Sequence, residues 1–242
     1  MKAFLYGIAL QGRLDIRSKT LLITCYLVPL LFFVVMGGIF TSIMPGTEAT
    51  LIPAMTVFGV TMGALIGLPP TLVEIYGTDI RKVYQANGVP LVLGLVLCNI
   101  SAFVHLFIMS LILYFAAPLL FQAKFPIQTG VYFGCLAIFI AVSLSIASVI
   151  GLAVRDQAKT SMVSILFFLP SILLSGIMFP AEMLPKGSRR QGGFPASWGY
   201  PLMSGLSSGG TAYSAACDVF DRWIDLRCTA EKNQSEIIKA VC

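Results

Sequence analysis

Three kinds of residue in this chain could do chemistry: one histidine, six cysteines, and the charges of "EIYGTDIRKVYQANGVP", residues 74–90. His105 is the sole imidazole, and no neighbouring residue in the sequence offers it a partner. An ionisable group inside an apolar stretch is a functional candidate by default. A neutral imidazole facing another helix is an equally good account. Cys25, Cys98 and Cys135 lie in apolar runs, where a thiol serves as a small hydrophobe. Cys217, Cys228 and Cys242 stand 11 and 14 residues apart, which fits no metal-ligand spacing. No Gly-rich stretch runs into a Lys-Ser/Thr pair, so the usual device for cradling the phosphates of ATP is missing. No catalytic residue, cofactor or metal is therefore expected. What remains is the patch holding Glu74, Asp79, Arg81 and Lys82, whose charges and turn residues suit docking rather than catalysis.

The elements around that patch explain why it is conspicuous. Of 242 residues, 57% are hydrophobic and 11% charged, and the mean hydropathy is +0.88. A soluble domain carries roughly 25% charged residues. This chain cannot cover its own surface with polar groups, so its solvent is lipid. A helix needs about 20 apolar residues to cross a hydrocarbon core roughly 30 Å thick. Five runs meet that need, over 21–40, 52–73, 91–117, 131–154 and 162–179. Lipid offers no partner for backbone N–H and C=O groups, so each run must close its own hydrogen bonds as a helix. The expected fold is an all-α, polytopic membrane helical bundle. Its spans carry no acidic or basic group at mid-membrane, which speaks against an ion-coupled carrier.

Basic residues orient the bundle. Lys2, Arg13, Arg17 and Lys19 precede the first run, Arg81 and Lys82 follow the second, and Arg155 and Lys159 follow the fourth. The loops on the other side hold only Lys124, so the N-terminus and residues 74–90 are expected in the cytoplasm. The leader itself is not a signal peptide. Its apolar stretch, 3–10, is short and runs into charge with no small-x-small cleavage site. Phe4, Leu5, Ile8 and Leu14 can share one helical face while Arg13 and Arg17 stay polar, as in a helix lying in the membrane interface. A disordered basic leader that fixes topology is the other account. Gly59, Gly63 and Gly67 form a small-residue ladder on the second span, and Ser143, Ala147, Ser148 and Gly151 another on the fourth. Such faces serve close helix packing within a subunit or between two subunits.

The order of motifs resembles the permease subunit of ABC-2 type ABC transporters, the membrane half of a bacterial exporter. The resemblance covers residues 1–203. Glu74 followed by Gly77-Thr78, basic residues and Pro90 is similar to that family's acidic E-x-E-x-G-T loop, with one residue fewer between Glu74 and Gly77. Gly151-Leu152 before the charged turn 155–159 matches the turn between fourth and fifth spans. "SGIMFPAEMLP", 175–185, with "FPASWGY", 194–200, matches the end of the fifth. There the motif positions are Gly176, Phe179, Pro180, Leu184, Pro185, Phe194 and Pro195.

The resemblance implies six spans per subunit, two membrane subunits paired as homo- or heterodimer, and separately encoded ABC ATPase subunits. It implies that Glu74, Gly77, Thr78, Asp79, Arg81 and Lys82 form the loop that passes ATPase motion to the helices. Thr78 can cap a turn opening at Asp79, whose charge suits a helix N-terminus. Alternatively Arg81 and Lys82 only hold topology, and Asn87-Gly88 is a simple turn. The functional expectation is an ATP-driven exporter permease in the cell membrane, with no nucleic-acid partner. The competing expectation is a membrane anchor or immunity-type protein that binds a partner without transport. Residues 204–242 depart from the family pattern. Nine charged residues fall within the last 25, so no sixth span is expected there. The tail reads as a soluble appendage or as the product of truncation or a shifted reading frame. In an oxidising compartment Cys217 and Cys228 could pair.

Overall fold

The first apolar run begins with a π-helical turn, Ile23–Leu27, before it settles into regular α-helix. The computed structural model describes residues 2–17, 22–43, 47–77, 86, 91–126, 128–154, 156–177 and 195–204. Helix α1 covers Lys2–Arg17. Helix α2 covers Ile23–Ile43, counting its π-helical turn. Helix α3 runs from Leu51–Met62 through a second π-helical turn, Gly63–Gly67, into Leu68–Gly77. Helices α4, α5 and α6 are Leu91–Phe121, Thr129–Ala153 and Gln157–Leu173, and α7 is Pro195–Met203. No strand occurs among the described residues. The fold is an all-α membrane bundle.

Among the described residues four helices, α2 to α5, are long and apolar enough to cross a bilayer. The fifth run forms a helix of 17 residues, about 25 Å at 1.5 Å per residue. It starts before the apolar residues do and stops before they end. Asp156 sets the start by accepting a hydrogen bond from the Lys159 amide at 2.9 Å, an N-cap that satisfies one orphan donor. Gly176 sets the stop, with φ at 79°, a left-handed conformation that glycine adopts without steric cost. Ser175 ties that turn together. Its hydroxyl donates to the Ile172 carbonyl at 2.6 Å and accepts from the Ile177 amide at 3.2 Å.

Helices α3 and α5 form the centre. Their apolar stretches are 83% and 78% buried, against 22% for α2. Leu27, Leu31 and Val34 on α2, and Met162, Leu166 and Leu169 on α6, point outward. An apolar belt of that kind would be a liability in water and is the expected lipid face in a bilayer. Because lipid is as apolar as leucine, the helices associate through close packing rather than by hiding from solvent. Both small-residue ladders serve this packing inside one subunit. Gly59 lies against Met109 of α4, Gly67 against Cys25 of α2, and Gly151 against Leu72 and the Pro69 backbone of α3.

The loops joining α2 to α3 and α4 to α5 meet at one end. Lys124 donates its amide to the Glu48 carbonyl at 3.1 Å, and its ammonium lies 3.6 Å from the Glu48 carboxylate. Helix α3 ends and α4 begins at the opposite end, as α5 ends and α6 begins there, which follows from alternating helix direction.

Candidate functional site: the loop end and its polar hub

Glu74 is exposed on the last turns of α3, and α3 ends at Gly77. Thr78, Asp79, Arg81 and Lys82 lie outside the described residues, so the expected cap at Thr78 does too. What the structure gives is the attachment. The loop leaves the buried helix α3 and returns into α4, and between the third and fifth turns of α4 lies a cluster of polar contacts absent from any sequence motif.

Three residues within two turns of α4 each bond a different helix. Asn99 accepts from Ser148 of α5 at 3.1 Å, while its own amide donates to the Leu95 carbonyl at 2.8 Å. Ser101 donates to the Asp15 carboxylate of α1. His105 Nδ1 meets the Tyr26 hydroxyl of α2 at 2.7 Å, with the two rings edge to face. The imidazole without an assignable partner in the sequence is thus a buried histidine held by a tyrosine 79 residues away. Asp15 is the residue the sequence reading passed over. It is buried, and Gln11 one turn earlier donates to it at 2.9 Å. Leu14 and Ile16 beside it are exposed, as are Arg13 and Arg17.

These residues surround a cavity of about 20 Å³ lined by Asp15, Cys25, Gly63, Gly67, Cys98 and His105, among others. That is space for roughly one water. Both π-helical turns reach it, through Cys25 and through Gly63 and Gly67. A π-helical turn is rare and locally changes the hydrogen-bond register, and such turns recur at functional sites. No group of three or more His, Cys, Asp or Glu side chains is placed to hold a metal among the described residues.

Of the second set of motif residues, Gly176 and Pro195 are described, and they lie at the other end. Gly176 makes the left-handed turn after α6, and Pro195 opens α7 at the position where its missing N–H costs nothing. Phe179, Pro180, Leu184, Pro185 and Phe194 lie outside the described residues. Helix α7 is too short to span and is packed into the bundle instead. Trp198 stands edge-to-face on Phe139 of α5 at 5.5 Å, and the Ala196 amide donates to Ser171 of α6 at 3.2 Å. Burial pushes the Tyr200 phenol up, and a hydrogen bond with Thr50 offsets part of that. Beside α7 lies a larger hollow of about 550 Å³, lined by Pro53, Phe125, Tyr132, Cys135 and Met203 among others.

The family model described as ABC-2 type transporter matches residues 10–207. The chain belongs to the ABC-2 type transporter family. No curated protein matches it. ABC-2 permeases are membrane transport components rather than catalysts, and they generally work with an ABC ATPase subunit. This ABC-2 chain is accordingly a multi-pass membrane protein of ABC-type transport, and its polar hub lies between the interiors of its second and third spans, on the side of α4 nearer the loop.

Proposed function

We propose that this chain is the membrane-spanning permease subunit of an ATP-driven exporter in the cell membrane, with its N-terminus in the cytoplasm. ATP is hydrolysed on a separate subunit that docks on residues 74–90, and a second permease subunit completes the path. The observation that supports this reading is the place of Glu74. It is exposed at the end of α3, the helix with the most buried apolar stretch, so a partner gripping the loop moves the centre of the bundle. Within residues 74–90, Asp79, Arg81 and Lys82 supply the charges. Exposed charges contribute little to stability, yet they set the register of docking.

The reading requires the loop and the ATPase to share a side of the membrane. Single cysteines at Glu48, Lys124, Lys82 and Gln157, with the tail cysteines replaced by serine, place it directly. An impermeant maleimide added to intact cells should label positions 48 and 124 and leave 82 and 157 untouched. Labelling at Lys82→Cys from outside would reverse the orientation and remove the docking argument.

A further inference from the structure

Asp15 is an acidic side chain buried in a membrane bundle with no basic group among the hydrogen-bond partners described. Its two oxygens are served by neutral donors, Gln11 of its own helix and Ser101 of α4. A buried carboxylate is tolerated only while its hydrogen bonds hold, because stripping them leaves a charge without solvent or partner. Helix α1 therefore has two good positions relative to α4: fully latched, or far enough away for water to reach the carboxylate. Intermediate shifts are the costly ones. The latch sits on a helix that already bonds α2 through His105 and α5 through Asn99, and that begins where the 74–90 loop ends. Two π-helical turns flank the same cavity, so α2 and α3 carry their irregular backbone where the latch acts.

We propose that Asp15 is a positioning residue for transport: it fixes α1 to the half of α4 nearer the loop, so that displacement of α4 through the loop moves α1, α2 and α5 together. This rests on the permease reading above, and the test separates the two. Native Cys98 lines the cavity next to Asp15, and native Cys135 lines the hollow at the opposite end. A cavity that holds one water does not admit a maleimide, so alkylation of Cys98 reports opening of the joint.

The full chain in native membranes would be treated with N-ethylmaleimide and both thiols quantified by peptide mass spectrometry, without nucleotide and with ATP plus vanadate. Without nucleotide, Asp15→Ala and Ser101→Ala should each speed Cys98 labelling about tenfold or more, the scale of one charge-assisted hydrogen bond in a local opening equilibrium. The double variant should be no faster than the faster single, since both remove one contact. Asp15→Ser with Ser101→Asp should return labelling towards the native rate. Cys135 should be unchanged throughout. Unaltered Cys98 labelling, additive effects, or equal acceleration of Cys135 would each overturn the latch, the last by showing general loosening.

The nucleotide arm tests transmission. The native chain should change its Cys98 labelling with ATP and vanadate, and Asp15→Ala should lose that response. A variant that keeps the full response contradicts the proposal. A native chain with no response defeats the transmission claim together with the ATP-driven reading, while the nucleotide-free arm still judges the joint.

Discussion

Gly151→Leu is expected to remove most of the folded protein from the membrane, whereas Gly134→Leu on the same helix is expected to be silent. A Cβ at Gly151 would stand 3.0 Å from the Leu72 Cβ and 3.1 Å from the Pro69 Cα. Both are tight, and one neighbour is backbone at a Pro-Pro pair, which cannot rotate aside. Forcing extra carbon into a packed contact costs about 1 to 3 kcal/mol, and this site belongs at the upper end. At Gly134 an added Cβ meets no atom within 4 Å. The comparison is made by abundance and by the thermal midpoint of purified protein in detergent. Equal stability of the two variants would show that α3 and α5 are not the tightly packed centre described.

Reversing the two ends of the loop should have the largest functional effect. With Glu74→Arg and Arg81→Glu together, ATP turnover by the complex should persist while transport per ATP falls by about tenfold or more. Insertion and abundance should stay near native, since exposed charges rarely contribute more than about 1 kcal/mol. Their influence lies in steering and registering a partner. A double variant that transports normally would reduce residues 74–90 to a topological spacer.

The helices were legible in the sequence because their apolar runs are long and uninterrupted. Helices α2 to α5 lie within a few residues of the runs that anticipate them. The fifth helix shifted for a local reason. Apolar residues continue through Ile177 and beyond, so hydropathy alone does not mark the stop, but a left-handed glycine and a serine turn do. Its start is set by the Asp156 cap, in a charged stretch that reads as loop.

Asp15 was hidden by the physics of the interface. In water, the apolar face of a helix points to protein. In a membrane, lipid accepts apolar side chains equally well, so Leu14 and Ile16 face out while the acidic residue turns towards hydroxyl and amide donors. Helical periodicity therefore located an amphipathic helix without indicating which face meets the bundle. His105 and Tyr26 are separated by 79 residues, a distance at which no spacing rule operates.

Coupling to ATP depends on whether the charged loop holds a separate ATPase. The direct measurement is purification of the chain from its native membranes in mild detergent, with and without the Glu74→Arg, Arg81→Glu pair, followed by ATP hydrolysis and subunit quantification. The native chain should carry an ATP-hydrolysing subunit in equal amount, and the reversed loop should lower the salt concentration at which that subunit dissociates. A native chain that purifies without any ATPase, or a reversed loop that holds one with unchanged salt resistance, would contradict the docking claim.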